Sequence, residues 1–224
     1  MKHGNIELIP AAVENPSKAI LGDCICEMMH MEDKQFSLIV TDPPYGVDLE
    51  YNTYEDSEEN WYKLMDLFIP IARRVATMVI MPSCRIKALP WIYQNHPPDW
   101  IISWYKGSPG HVSAIGFNDW EPLLVYGRTK GCQMHDHFTM TNDVPMGSFG
   151  HPCPKPVKWF SWLMHRAIGS SPKNVLDPFM GSQSSRIAAH ELGFKYTGIE
   201  LDKDYYEAAC KRFRNHVAQQ KLFV

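Results

Sequence analysis

Short apolar runs alternate with stretches of helical spacing along most of the 224 residues, and that alternation confines the chain to an α/β fold with a mostly parallel sheet and helices on both faces. Residues 36–41 form an unbroken run suited to a buried strand, and residues 17–22, 77–81, 100–105, 174–176 and 195–199 read as further strands. Residues 121–126 read as one more, with Pro122 favouring an early position or an edge. Between them, a helix passes through Met28 and Met29, and Trp61, Leu64, Phe68, Ile71 and Val75 recur at helical spacing as a core stripe. Asp56 and Glu59 stand like the N-cap and N3 partners of that helix. Residues 85–93 suggest a helix interrupted at Pro90. Pro156 suits the first turn of a helix carrying Phe160, Leu163 and Ala167 and stopping at Gly169. A helix over residues 182–192 is closed by Gly193, and a last one, from Asp204, carries Tyr206, Cys210, Phe213 and Val217 inward.

With 45% hydrophobic residues, a chain of this length fills one substantial core, so residues 1–224 are expected to form a single domain. It has no run of about 18 apolar residues, and a soluble, cytoplasmic protein is expected. The six cysteines lack the spacing of a disulfide framework and read as thiols. A net charge of −3 does not announce a polyanion binder, but the charge is uneven. Residues 48–59 hold six acids and no base, whereas residues 128–166 hold five Lys/Arg, four His and two Asp, which makes the second stretch the candidate for phosphate contact. Residues 107–119 and 128–153 have no sustained period and read as long loops, which in compact domains are often functional.

Asp42-Pro43-Pro44-Tyr45 ends the run of residues 36–41 and so stands where a buried strand opens into a site. Successive prolines donate no backbone hydrogen bonds and hold φ near −65°, which aims the neighbouring carbonyls outward. Asp42 adds an acceptor and Tyr45 a face for stacking, a set that suits the exocyclic amino group of a nucleobase. A second site, residues 177–184, is a small-residue turn between a strand and a helix, where backbone amides face a ligand at the helix start. Glu200, about 20 residues on, ends the next strand, a position from which an acid reaches ribose hydroxyls.

Together these segments resemble the β-class DNA amino-methyltransferases, which use S-adenosylmethionine to modify adenine N6 or cytosine N4. Asp42 to Tyr45 looks like the catalytic tetrapeptide, His151-Pro152-Cys153-Pro154-Lys155-Pro156 like the segment before the cofactor half, and Asp177 to Ser184 like the cofactor loop. The tetrapeptide ahead of the loop is that family's permuted order. The resemblance implies a Rossmann-like methyltransferase fold, S-adenosylmethionine as cofactor and double-stranded DNA as partner. It implies that Asp42 and the Pro43 carbonyl accept the amino hydrogens, with Pro44 stiffening the turn and Tyr45 stacking on the base. Phe179, Gly181 and Ser182 would line the methionine side beside Asp177, Glu200 would hold the ribose and Asp23 the adenine, with His151 and Lys155 near the carboxylate. An opening aspartate goes more often with adenine. Methylation of RNA or of a protein glutamine fits less well, because those enzymes generally place the cofactor loop first.

Two departures stand out. Gln183 occupies a position where the family loop usually has Gly, so either the backbone there tolerates a side chain or cofactor binding suffers and the chain is a binding protein of this fold. Residues 128–150, where a target-recognition region belongs, number only 23, which implies short or relaxed sequence recognition, extended if the chain dimerises. Cys153 after Pro152 has the look of a cytosine-C5 nucleophile, but that chemistry would leave the tetrapeptide without a task. Cys132, His135, His137, His151 and Cys153 include a Cys-x2-His spacing but no regular paired signature, and no metal is expected.

Overall fold

A computed structural model describes residues 6–9, 16–82, 85–107, 112–114, 116–130, 135–168 and 173–220. The first part of the chain runs β1 (Ile6–Ile9), β2 (Ser17–Leu21), α1 (Cys24–Met29), β3 (Phe36–Val40), α2 (Glu58–Val75), β4 (Ala76–Pro82), α3 (Leu89–Asn95) and β5 (Trp100–Tyr105). It continues through β6 (Val112–Ser113), β7 (Gly116–Phe117), β8 (Trp120–Gly127), β9 (His137–Thr139), α4 (Val157–Ile168), β10 (Asn174–Asp177), α5 (Ser184–Glu191), β11 (Lys195–Glu200) and α6 (Lys203–Gln220).

Nine strands form one sheet in the order β1-β2-β11-β10-β3-β4-β8-β5-β9, and β6 and β7 form a separate hairpin. The five central strands from β2 to β4 are parallel, while β8 runs antiparallel to both β4 and β5. Alternate side chains serve opposite faces: Ile39, Val79 and Met81 pack with α1, α2 and α3, whereas Leu38, Val40, Met78 and Ile80 pack with α4 and α5. Ala19 of β2 meets Tyr206 and Cys210, which puts α6 on the second face. Successive strands leave the centre in opposite directions from β3 and β10, which pair with each other. Their C-terminal ends therefore flank a crevice at the sheet's switch point, the place where open α/β sheets bind ligands.

Several local readings are corrected. The N-cap of α2 is Ser57, whose side chain accepts from the Asn60 amide. Asp56, one residue earlier, has turned away to a different task. Leu64 and Ile71, expected in the core stripe, are only partly buried, and the stripe closes instead on Met65, Ile69 and Ala72. Pro90 begins α3 rather than interrupting it, since a proline in the first turn removes no helical bond. Pro122 has the early position expected of it, third in β8, where the β4 ladder, ending at Pro82 opposite Leu123, does not reach it. The stretch read as one long loop over residues 128–153 contains β9, three residues paired in parallel with β5. Phe138 anchors it by stacking on Trp162 with ring centroids 4.2 Å apart. A strand that short has too few residues to show a period. Gly169 and Cys132 lie outside the described residues.

Candidate active site

The motif after β3 and the loop after β10 line one cleft of about 810 Å³, the space open to solvent included. Asp42 and Pro44 enter from one side, and Pro178, Phe179, Gly181 and Glu200 from the other. Tyr51, Tyr54 and Leu64 close it from the segment after the motif and from α2, and His151 and Tyr205 from the far rim. Asp23 also lines it while capping α1 through the Cys26 amide at 2.9 Å.

Both oxygens of Asp42 are engaged. Lys155 Nζ donates to Oδ2 at 2.9 Å and the Tyr45 hydroxyl to Oδ1 at 2.9 Å. Burial pushes the Asp42 carboxyl up, opposed by the Lys155 ammonium and the Tyr45 hydroxyl. Burial works against the Lys155 ammonium too, but Asp42 and Glu121 outweigh it and hold the lysine charged. Lys155 thus differs from its expected place: it joins the tetrapeptide instead of lining the cleft, with Nζ 4.8 Å from the Tyr45 ring centroid. The same ammonium donates to the Tyr45 hydroxyl at 3.2 Å, so it ties the first and last residues of the tetrapeptide together.

The segment leading from Tyr45 to α2 is shaped by Asp56, 2% exposed, whose carboxylate accepts from the amides of Gly46 at 2.6 Å, Val47 at 3.2 Å and Leu49 at 3.2 Å. Gly46 is required there, since φ is +62° and a Cβ would stand 2.8 Å from Trp61 Cβ. Sequence reasoning missed this role because an Asp just before a helix looks like a cap.

On the cofactor-loop side, Glu200 accepts from the Gly181 amide at 3.0 Å and the Asp202 amide at 3.0 Å. Burial pushes its carboxyl up to about 7 despite those two amides, with the negative charges of Asp202 and Asp177 adding to the rise. His151 accepts the Cys153 amide on Nδ1 at 3.3 Å, and burial beside Lys155 lowers its pKa to about 4. It is a neutral ring at pH 7, and its Nε2 side would meet any Cβ placed on Gly181. Burial raises the Cys153 thiol, which argues against a nucleophile there.

Asp177 and Ser182, like Pro43 and Tyr45 of the tetrapeptide, are not among the residues that line the cleft. Asp177 is fully buried and accepts from Thr41 Oγ1 at 2.5 Å and the Phe179 amide at 3.1 Å, so it ties the tip of β3 to that of β10. Ser182 is buried against Ser184, and its carbonyl accepts from Arg212 at 2.7 Å. Gln183 is fully buried in the left-handed region, φ 61° and ψ 25°. Its amide points away from the cleft, donating to Cys210 Sγ at 3.2 Å and accepting from Arg186 at 3.3 Å. This accounts for the family's glycine and for the glutamine: the turn needs positive φ, and here the side chain serves a buried arginine. Gln183→Gly removes a left-handed penalty of about 1–2 kcal/mol but leaves Arg186 short of an acceptor, worth about 1–3 kcal/mol. Gln183→Ala loses the acceptor and keeps the penalty, so thermal melts should rank Gly above Ala, with cofactor affinity unchanged in both. Weakened binding at an unchanged melting temperature would put Gln183 in the site after all.

A switch-point cleft with a carboxylate at one strand tip and an acid-backed glycine loop at the next defines an α/β enzyme of the nucleotide-binding kind. The chain belongs to the N6/N4 DNA methylase family, whose sequence model matches residues 100–211, half of the chain. It is 37% identical over 94 residues to the type II methyltransferase M2.DpnII of Streptococcus pneumoniae, a match covering 40% of this chain and 34% of that one. The chain thus spans about a third of that relative's length. Among solved structures, the M1.HpyAVI–SAM complex superposes with a TM-score of 0.65 at 19% identity, covering 88% of this chain and 98% of that one. The cytosine-N4-specific PvuII DNA methyltransferase gives 0.63 at 14% identity, covering 90% and 87%. Both share the fold.

Proposed function

We propose that this protein methylates the N6 amino group of adenine in double-stranded DNA, with S-adenosylmethionine as donor. The observation that carries the reading is that the Asp42–Pro44 tip and the Gly181–Glu200 wall line one and the same cleft. The cleft's chemistry suits a cationic cofactor: Asp23, Asp42, Glu200 and Asp202 line it, and among the described lining residues there is no Lys or Arg. S-adenosylmethionine supplies, when bound, a methyl group made electrophilic by its sulfonium. Phe179, Tyr51 and Tyr205 offer apolar and aromatic walls, Glu200 the acceptor for ribose hydroxyls and His151 an uncharged ring at the rim.

Asp42 and the Pro43 carbonyl accept the two amino hydrogens and draw the amine out of conjugation, which localises its lone pair. The stiff Pro-Pro turn keeps these acceptors aimed, so positioning supplies most of the rate. The base must first leave the duplex at a cost of a few kcal/mol, which stacking on Tyr45 partly offsets. Residues 128–150 serve as a small target-recognition part with reach to few base edges. Cytosine N4 offers the same pair of amino hydrogens, and the likeness to the PvuII enzyme favours it as the second reading.

Mass spectrometry of nucleosides from DNA of cells making the protein tests both. N6-methyladenine that disappears with Asp42→Ala is expected; N4-methylcytosine in its place moves the reaction to the other base, and neither, from a folded protein, ends the proposal. Cofactor binding should also titrate. Ribose hydroxyls donate best to an ionised carboxylate, so affinity should rise with pH through about 7, the Glu200 value. Calorimetry on either side of that pH should show a slope that Glu200→Gln flattens, and a flat wild-type response would remove Glu200 from the contact. For the free protein the sign reverses: the folded chain holds this proton more tightly than the unfolded one, so the Glu200 contribution to stability falls as pH rises from 4.5 to about 7.

A further inference from the structure

Glu121 lies outside the tetrapeptide and outside the cleft wall, yet its carboxylate enters the Asp42 cluster from β8. Oε1 takes the Lys106 ammonium at 2.6 Å, and Oε2 stands 3.4 Å from the Tyr45 hydroxyl, which itself donates to Asp42 at 2.9 Å. A phenol has one proton, so it serves one of these two carboxylates at a time. Lys155 completes the set, donating to Asp42 at 2.9 Å and to the Tyr45 oxygen at 3.2 Å. Two acids and two lysines thus balance around one hydroxyl, with side chains between 7% and 20% exposed.

We propose that Glu121 is a positioning residue: it offers the Tyr45 hydroxyl a second acceptor, so that the hydroxyl leaves Asp42 Oδ1 when the substrate's amino group arrives, and Lys106 holds Glu121 in place for this. The inference rests on the methyl-transfer reading above. Each Asp42 oxygen already accepts one hydrogen bond, from Lys155 and from Tyr45, so an amino group arriving at Oδ1 competes with the Tyr45 hydroxyl for the same oxygen. Lys155 cannot move away cheaply, because its ammonium is buried and Asp42 and Glu121 are the charges that stabilise it. The hydroxyl can move by rotating its proton alone, and Glu121 stands where that proton would turn. A salt bridge serving only to tie β5 to β8 would need one carboxylate oxygen, which Lys106 already occupies; the other oxygen faces the tetrapeptide.

The ionisable groups around Asp42 and Glu121 come from every element of the cluster: Lys106 after β5, Tyr45 after β3, Lys155 and Cys153 before α4, and Asp177 at the tip of β10. The Glu121 charge disfavours ionised Asp42, so its removal must move the acidic limb of a pH–rate profile to lower pH.

Single-turnover methyl transfer to DNA, cofactor calorimetry and the pH–rate profile test this in Glu121→Gln, Tyr45→Phe and the double variant. Glu121→Gln is expected to slow transfer about tenfold with cofactor affinity held within about twofold, and to shift the acidic limb down. In the Tyr45→Phe background it should have no further effect on rate, since no hydroxyl remains to hand over. A wild-type rate and limb in Glu121→Gln, or the same loss in both backgrounds, would overturn the proposal. If Glu121→Gln does not fold, Glu121→Gln/Lys106→Gln removes both charges of the pair and is read against the same outcomes. Absence of transfer by the wild-type protein in this assay sinks the methyl-transfer reading instead.

Discussion

Asparagine at position 42 should lower methyl transfer about a hundred- to a thousandfold, the scale on which a site loses a polar group aimed at the reacting atoms. The amide has one acceptor where the carboxylate has two. Lys155 already claims an oxygen at 2.9 Å, and whichever way the amide turns, either Lys155 or the substrate's amino group meets an NH2. The same change leaves a 7%-exposed ammonium beside a neutral group. Breaking a buried pair costs about 3–5 kcal/mol, and the nearby Glu121 charge reduces that penalty. Asp42→Asn should therefore melt lower than wild type, and Asp42→Asn/Lys155→Met should recover the melting temperature without recovering turnover. Thermal melts and radiolabelled methyl transfer separate the two effects, and near-wild-type turnover in either variant would remove Asp42 from the chemistry.

Alanine at position 56 is the second large change, and it acts on structure first. Three amides within the turn after Tyr45 lose their common acceptor. A hydrogen bond to a charged group contributes about 1.5–3 kcal/mol, so the loss should exceed about 3 kcal/mol even when water recovers part of it. Because Tyr51 and Tyr54 of the same segment line the cleft, cofactor affinity should fall together with the melting temperature. Limited proteolysis should cut between residues 46 and 56 in Asp56→Ala before it cuts wild type. A melt that superimposes on wild type would show that the three amides are satisfied without this carboxylate.

Strands buried on both faces and helices with clear stripes were legible in the chain, because each is a local pattern with one period: residues 36–40 could hardly be anything else. The tetrapeptide and the loop over residues 177–184 were legible as turns at strand ends, and both reach the cleft, because proline and glycine limit the backbone at known places. The partners that shape the site were not. Lys155 is 113 residues from Asp42, and Glu121 is 76 from Tyr45. Only the sheet order brings them together, so no spacing in the sequence points from one to the other. Asp56 failed in the opposite way, being close in sequence but dependent on a turn with positive φ at Gly46 and Asp48 that its residue types do not announce. Asp177 was read from its motif alone, and its bond to Thr41 at the neighbouring tip was not legible, since a strand-tip acid can face either the cleft or its neighbouring strand.

That bond bears on how such a gene can be arranged. Thr41 and Asp177 join two strand tips 136 residues apart in the chain. The β3–β10 ladder, this bond and that of the Asn174 amide to the Gln35 carbonyl join the two halves of the cleft across the sheet. A rearranged gene that placed β10, α5 and β11 ahead of β3, with new termini on an exposed loop, would therefore keep every cleft wall in position as long as the two strands still met. Adjacency in the sheet, not the linear order of the motifs, is what the cleft requires.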